Sequence, residues 1–308
     1  MSLFTTLLAK LLPLYFMIFL GFLAARNLRV PTEAVGRLLI YLIAPVVVFY
    51  GAYTATLDAA HLSLPVLFFF LGSILSLLFL VIGTWVFGKD PTRNILAFAA
   101  GTGNTGYFGI PACIALFGDK SLSPAVLCIL GVILYENSLG FFITANGKHT
   151  AGESAKKVIR LPSLYAFFAG ILMNGLGFPL GSISTSTVEA FKGAYTLLGM
   201  MIVGMGLASV SLRHIDFKFI LISHLSKFAA WPLAMLLIVS VDDSWTHAFD
   251  PLTRNVLLLL SWVPLAANTV AFAAEFDAHP DKAAVAVLIS TVFALFFLPG
   301  MAGLLLRF

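Results

Sequence analysis

Long apolar stretches follow one another along the whole chain, and short polar segments separate them. A helix rises about 1.5 Å per residue, so about 20 apolar residues cross the hydrocarbon layer of a membrane. The apolar stretches predict ten membrane-spanning helices, at 4–25, 33–54, 62–87, 93–117, 123–145, 162–180, 188–211, 217–241, 254–276 and 281–306. The predicted fold class is therefore an all-α integral membrane protein.

The fourth predicted span has a helix-breaking centre. It carries glycine at Gly101, Gly103 and Gly106 and proline at Pro111. Glycine and proline weaken a helix by about 1 and 3 kcal/mol, respectively. Lipid cannot hydrogen-bond the backbone groups that a break frees, so such a break persists only inside protein or beside a polar cavity. We predict a broken helix that lines a polar site.

A repeat relates the two halves of the chain. The segments Asp90–Asn94 and Asp250–Asn255 both begin with Asp-Pro and end with Thr-Arg-Asn, and they open the fourth and ninth spans at an offset of 161 residues. The same offset superimposes spans one to five on spans six to ten, and it places Gly103 opposite Pro264. We therefore predict that both halves break their fourth helix at the same depth.

The repeat predicts three parts of the chain: a first five-helix repeat over 1–145, a basic cytoplasmic connector over 146–161, and a second five-helix repeat over 162–308. Because five is odd, the second repeat is inverted in the membrane.

Basic side chains favour the cytoplasmic side of a membrane. They are concentrated in the loops after the odd-numbered spans, at Arg26, Arg29, Arg37, Lys89, Arg93, Lys148, Lys156, Lys157, Arg160, Arg213, Lys218 and Lys282. The opposite face has Lys120, Lys192, Arg254 and Arg307. This bias predicts a multi-pass plasma membrane protein with both termini outside the cytoplasm.

Composition narrows the possible functions. Hydrophobic residues make up 60% of the 308 residues and charged residues only 10%, against about 25% charged in soluble proteins. No room remains for a sizeable soluble domain, and a net charge of +4 does not indicate a nucleic-acid partner. Cys113 and Cys128 both lie in predicted spans without metal-ligand or redox-pair spacing. With no HExxH or GxSxG motif either, we predict neither an enzyme nor a metal site.

The two predicted breaks are the candidate substrate site. The proposed contacts are Thr102, Gly103, Asn104, Thr105, Pro264, Asn268 and Thr269. The first break formally matches GxGxxG, but a dinucleotide site requires a preceding strand and a βαβ unit. Packing of small residues explains the glycines but not the Asn and Thr side chains beside them. The N-termini of the half-helices favour an anion, whereas the freed carbonyls and the Asn side chains suit a cation or a substrate donor.

The fifth span contains Tyr135, Glu136 and Asn137, and the eighth contains Lys227. A charged side chain at the bilayer centre costs about 2.5–3.5 kcal/mol on insertion scales, so such residues are candidates for function. We predict Glu136 as a proton relay or, alternatively, as a protonated or locally paired structural residue. Lys227 is either its partner or a side chain that extends to the membrane surface. Tyr135 and Asn137 are further candidate substrate contacts.

These residues resemble the auxin efflux carrier family, which includes bacterial relatives of the plant PIN-type carriers within a bile-acid-transporter-like superfamily. The run from Gly103 to Pro111 resembles the family's Asn-Thr-x-x-x-Gly-[Ile/Leu]-Pro crossover, with Gly103 where the plant motif has Pro. Phe272-Ala-Ala-Glu-Phe276 with His279-Pro-Asp281 is similar to FAxEYxxHPD. Lys227-Phe228 followed by Pro232 resembles Arg-Phe-x-x-Gly-Pro, with Trp231 in place of the Gly.

The resemblance implies two inverted five-helix repeats and often a homodimer. Helices 1, 2, 6 and 7 would form a scaffold, and helices 3–5 and 8–10 a mobile transport part with crossover helices 4 and 9. It also implies transport of small organic anions that contact Asn104 and the region of Pro264. No cofactor is implied beyond H⁺ or Na⁺ as a coupling ion. A sodium-coupled symporter of the bile-acid type, a membrane-embedded ligand sensor and an intramembrane enzyme are the alternatives.

Overall fold

A computed structural model of the chain describes residues 3–145, 162–208, 215–276 and 278–306, and this part is helical without a strand. Its helices are α1 (Leu3–Arg26), α2 (Thr32–Tyr53), α3 (Ala59–Phe87), α4 (Thr92–Gly101), α5 (Ile110–Phe117), α6 (Asp119–Thr144), α7 (Pro162–Gly175), α8 (Ser182–Ala208), α9 (Phe217–Thr246), α10 (Pro251–Ser261), α11 (Asn268–Glu275) and α12 (Pro280–Leu305). The predicted connector, Arg213 and Arg307 lie outside the described residues. The all-α fold class is confirmed.

Seven helices of the described part are long and apolar enough to cross a membrane: α1, α2, α3, α6, α8, α9 and α12. Large apolar side chains on their outer faces are exposed, among them Phe16, Phe70 and Leu233. The predicted fourth span is divided into α4 and α5, and the ninth into α10 and α11. The predicted sixth span, 162–180, forms the shorter helix α7. These features indicate a multi-pass membrane protein.

Two helix pairs form one side of the molecule: α1 packs along α8, and α2 packs along α7. In the first pair the backbones touch. A Cβ on Gly21 would overlap the carbonyl of Met201, and one on Gly204 would overlap the carbonyl of Ile18. Small residues allow this close approach, which is a common way for membrane helices to associate.

The other side of the molecule carries the interrupted helices. There α3 packs against α4 and α6, while α9 packs against α10 and α12. Gly72 lets α3 approach the end of α4, because a Cβ at that position would meet the carbonyl of Gly101. The aromatic rings of Trp231, Tyr135 and Phe98 are fully buried in this layer. The ends of α4 and α10 are therefore held inside protein.

Polar contacts fix the starts of the two interrupted segments at opposite ends of the bundle. Lys282 Nζ lies 2.9 Å from Asp216 Oδ2 and donates to Thr92 Oγ1 at 3.2 Å. Asp58 caps α3, and the backbone hydrogen bond from His61 holds the pKa of Asp58 below its usual value. His61 Nε2 in turn lies 3.3 Å from Thr253 Oγ1. Each of these two sets of polar contacts thus joins an N-cap aspartate to the first turn of an interrupted segment.

Candidate functional site

The first interruption comprises residues 102–104. After α4 ends at Gly101, Thr102 is extended with φ −128° and ψ 177°, and Asn104 has φ −73° and ψ 56°. A wide helical turn over Thr105–Gly109 then leads into α5, whose first turn contains Pro111. The indole Nε1 of Trp231 donates to the carbonyl of Ala100 at 2.7 Å. A side chain of α9 thus satisfies one of the carbonyls that the end of α4 leaves free.

Tyr135 lies behind this interruption. Its hydroxyl donates to the carbonyls of Phe98 at 3.2 Å and Ala97 at 3.3 Å. A Cβ on Gly101 would overlap its ring, so the glycine makes room for the tyrosine. We predicted Tyr135 as a substrate contact. The side chain is fully buried against α4, supports the end of that helix and lies outside the cavity lining described below, so a contact with substrate stays a prediction.

The second interruption comprises residues 262–267, between α10 and α11. The backbone N–H of Leu265 donates to Ser290 Oγ of α12 at 3.1 Å. The carbonyl of Pro264 accepts a hydrogen bond of 2.8 Å from the backbone N–H of Asn104. The two interruptions are therefore in direct contact, and each supplies a partner for a backbone group freed in the other.

Glu136 connects both interruptions through its side chain. It lies on a wide turn of α6, Glu136–Gly140, a geometry that is frequent at functional sites, and it is 5% exposed. Its Oε1 accepts from Thr102 Oγ1 at 2.5 Å, and its Oε2 accepts from Asn268 Nδ2 at 2.8 Å. A single carboxylate is thus bound by one donor from each interrupted segment.

A cavity of about 250 Å³ lies beside this carboxylate. Its main polar lining consists of Asn104, Thr105, Glu136, Asn137 and Asn268, together with the backbone of Gly103 and Gly106. Five of the predicted contacts, namely Gly103, Asn104, Thr105, Asn137 and Asn268, therefore line one space. Asn268 is the most exposed of them, and it presents its amide at the first turn of α11.

The other predicted contacts lie outside the cavity lining. Thr102 is buried and donates to Glu136, and Pro264 takes part through its carbonyl. Thr269 is buried, and its hydroxyl has no hydrogen-bond partner among the described residues. These three residues shape the interruptions and do not reach the cavity.

Lys227 lies on a wide turn of α9, Ser226–Ala230, on the far side of Gly103. Its Nζ is 4.5 Å from the ring centre of Trp231 and occupies the space that a Cβ on Gly103 would need. The side chain is 1% exposed, so it does not extend to the membrane surface. Within the described part of the chain it makes no ion pair with Glu136.

The cavity also contains residues that sequence analysis missed. The hydroxyl of Tyr195 on α8 comes within 3.2 Å of the position of a Cβ on Gly106. Ile40, Ala44 and Val48 of α2 form an aliphatic part of its wall. These residues lie in ordinary apolar spans, and nothing in their sequence pattern distinguishes them from lipid-facing positions.

Comparison with known proteins identifies the family of the chain. A family model described as "Membrane transport protein" matches residues 6–156 and 149–302, which together cover almost the whole chain. The two matched stretches meet in the predicted connector. Because the match covers far more than half of the chain, it establishes the family and confirms the resemblance to the auxin efflux carriers.

Curated relatives carry transporter names. An "uncharacterized transporter" of Methanothermobacter thermautotrophicus is 28% identical over 66% of this chain and 65% of its own length. Another, from Methanocaldococcus jannaschii, is 26% identical over 76% of both chains. A "putative malonate transporter" of Rhizobium meliloti is 24% identical over 96% of this chain and 94% of its own length. The chain belongs to the membrane transport protein family, and it is a transporter and not an enzyme.

Proposed function

We propose that this protein is a secondary active transporter or facilitator of a small organic anion, a carboxylate, which binds where the two interrupted helices meet. The observation that carries the proposal is the position of the Glu136 carboxylate. It is held by Thr102 Oγ1 and Asn268 Nδ2 at the edge of a cavity inside the helical layer. The site therefore already accommodates a carboxylate with donors from both interrupted segments.

An anion entering the cavity would meet further donors. Asn104 and Asn137 supply side-chain amides, and Thr105 supplies a hydroxyl. The first turn of α11 faces the cavity at Asn268, and a helix N-terminus carries partial positive charge. A carboxylate can be bound in this way without a lysine or arginine, as in transporters whose broken helices meet near the membrane midplane.

We further propose ten spans arranged as two inverted repeats, with α1, α2, α7 and α8 as the scaffold. The pairing of α1 with α8 and of α2 with α7 supports this, because exchanging the first two spans of each half reproduces the same two pairs. The polar contacts at Thr92 and Thr253 are a second correspondence between the two halves, because these residues are related by the repeat offset. The remaining helices would form the transport part, moving in alternating access with both termini outside the cytoplasm.

Proton coupling through Glu136 is the mechanism we favour. A substrate carboxylate in the cavity would lie near the Glu136 carboxylate, and two like charges in a space with little water repel strongly. A proton on one of them relieves that repulsion, so the anion and a proton would move together. Sodium coupling is the alternative, and substrate uptake with and without a sodium gradient distinguishes the two.

The test is flux in reconstituted vesicles. A thermal-shift screen of mono- and dicarboxylates on the purified protein, beginning with malonate because of the name of one relative, identifies a substrate for the flux assay. Asn104→Ala and Pro264→Ala are expected to abolish most of the flux, whereas Gly193→Ala, at a helix position with open space around it, should retain it. Normal flux in both site variants would refute the proposal. Ligand binding without any flux would instead identify a sensor.

A further inference from the structure

An ion pair between α8 and α6 lies beyond the cavity, at the end of the bundle where α6 begins. We infer that this pair, Lys192 with Asp119, is a gate that closes the cavity at this end and separates when the transport part moves. The inference rests on the proposed function, because α8 belongs to the proposed scaffold and α6 to the proposed transport part. It goes further by assigning a conformational role to a named contact.

The position of the pair follows from three helices. Lys192 precedes the cavity-lining residue Tyr195 by three positions on α8, and residues three apart lie on one face of a helix. Asp119 is the first residue of α6 and precedes the lining residue Val126 by about two turns. Lys192 Nζ also lies 5.8 Å from the ring centre of Tyr50, in the last turn of α2.

The cavity extends towards the other end of the bundle. Ser163 lines it from the first turn of α7. The last turn of α7 lies beside the end of α2, where Asn174 Nδ2 donates to the carbonyl of Ala55 at 2.6 Å. Because α7 has 14 residues, its two ends lie about 20 Å apart. The ion pair, near Tyr50, and Ser163 are therefore close to opposite ends of this helix.

The boundary between the two parts is closely packed beside the ion pair. A Cβ on Gly51 of α2 would lie 2.6 Å from Cγ2 of Val126 on α6, so the two helices touch there. Both residues are buried. Lys10 of α1 also donates to the carbonyl of Leu116, near the end of α5, at 3.4 Å. Opening this end of the cavity requires these contacts to separate together with the ion pair.

The ion pair has partners that allow it to separate. Lys192 is 5% exposed, whereas Asp119 is 61% exposed and can be hydrated when it is released. Glu189, on the same helix as Lys192, lies 2.9 Å from its Nζ and would stay with it. The ammonium thus keeps an anionic partner when α6 moves away, which avoids the cost of an unpaired buried charge. A pair with one exposed partner should change the balance between closed and open states by up to about fivefold.

The test measures access to the cavity from each side of the membrane. Ala44→Cys places a thiol on the cavity lining, and a membrane-impermeant sulfonated maleimide is added to right-side-out or inside-out membrane vesicles. Cys113 and Cys128 are buried, and protein without Ala44→Cys measures their background labelling. We expect the new thiol to react faster from one side. Adding Asp119→Asn should increase the slower rate about two- to fivefold.

The matched control is Glu189→Gln in the same Ala44→Cys protein. Glu189 is 57% exposed, close to the value for Asp119, but its pair with Lys192 does not cross the boundary, so the slower rate should not increase. Thermal unfolding verifies that each variant is folded. Equal rates from the two sides in Ala44→Cys alone, or equal slower rates in Asp119→Asn and Glu189→Gln, would overturn the gate. Flux absent from the unaltered protein would refute the proposed function, and the labelling rates would still decide on the gate.

Discussion

The backbone N–H of Asn104 donates a 2.8 Å hydrogen bond to the carbonyl of Pro264, and this bond joins the two interruptions of the helical layer. Proline has no N–H of its own, so a proline in a helix frees the backbone around it for partners outside that helix. Here the partner comes from a residue 160 positions earlier in the chain. Each break therefore helps to stabilise the other, and both belong to one site.

The contribution of this bond can be measured at Asn104. Asn104→Pro removes the N–H while fitting the observed φ of −73°, whereas Asn104→Ala keeps the N–H and removes only the side chain. Leaving the Pro264 carbonyl without its partner should cost about 1–3 kcal/mol. We expect a lower midpoint of thermal unfolding for Asn104→Pro than for Asn104→Ala. Equal midpoints would show that the bond contributes nothing to stability.

A side chain at Gly103 requires the buried Lys227 side chain to shift. A Cβ there would overlap Lys227 Nζ and come within 2.9 Å of its Cε and 3.1 Å of Val263 Cγ2. Gly103→Ala is expected to destabilise the protein by about 1–3 kcal/mol. Adding Lys227→Ala to that variant should recover part of the loss, since the overlapping atoms are then absent.

The control for that experiment is Gly193→Ala on α8, where no atom lies near the added Cβ. An alanine inside an exposed helix should stabilise by about 0.5–1 kcal/mol relative to glycine. Thermal unfolding of these three variants and of the unaltered protein makes the comparison. A Gly103→Ala midpoint above that of the unaltered protein would contradict the packing that the structure shows.

Replacement of Glu136 should separate the effect of the shape of its side chain on stability from the effect of its charge on uptake. Glu136→Gln keeps the size of the side chain and can still hydrogen-bond Thr102 and Asn268, so its thermal midpoint should remain close to that of the unaltered protein. Glu136→Ala leaves both donors without partners, at about 1–3 kcal/mol for each buried group. In reconstituted vesicles, uptake by Glu136→Gln should lose its dependence on pH. Uptake that still varies with pH would remove Glu136 from the coupling step.

An ion pair crosses between the two sides of the molecule. Lys192 of α8 lies 2.7 Å from Asp119 at the start of α6, and the lysine side chain is 5% exposed against 61% for the aspartate. Asp119→Lys should lower the thermal midpoint by the equivalent of about 1 kcal/mol, because it places two ammonium groups together. The exchanged pair, Asp119→Lys with Lys192→Asp, should restore only part of the loss, because Lys192 also pairs with Glu189 at 2.9 Å and the new aspartate would lie beside that carboxylate.

The matched control for the charge reversal is Glu33→Lys. Glu33 pairs with Arg37 one turn away on α2, and both side chains are more than 70% exposed. Reversing an exposed charge of this kind should change stability by less than about 0.5 kcal/mol. If the two reversals had the same small effect, the Lys192–Asp119 contact would make no measurable contribution to stability.

Much of the helical layout could be predicted from the sequence, because long apolar runs and helix breakers act locally. The glycines from Gly101 to Gly106 and the lone Pro264 mark segments that cannot continue as helix, and α4 and α10 do end there. The family is confirmed by the comparison with known proteins. The inverted repeat, the ten spans and the orientation in the membrane stay predictions.

The side-chain partners could not be predicted in the same way. Lys227 and Glu136 are the charged residues deepest in their spans, which suggested a pair, but their positions relative to each other depend on how α9 and α6 are rotated. Tyr135 precedes Glu136 in the chain, yet the side chains leave the helix in different directions: Glu136 and Asn137 line the cavity, whereas Tyr135 packs against α4. The aliphatic wall on α2 follows from packing between distant helices, which an apolar run alone does not specify.

Gly21 and Gly204 have a mechanical consequence. The backbones of α1 and α8 touch at these two positions, where each glycine leaves room for the carbonyl opposite to it. One helix therefore cannot shift along the other by a full turn. Any displacement during a working cycle must then occur at faces where the contact is made by side chains, such as Tyr15 of α1 with the carbonyl of Leu295 on α12, at 2.7 Å. The absence of a Cβ at Gly21 and Gly204 thus permits the backbone contact that holds α1 in register with α8.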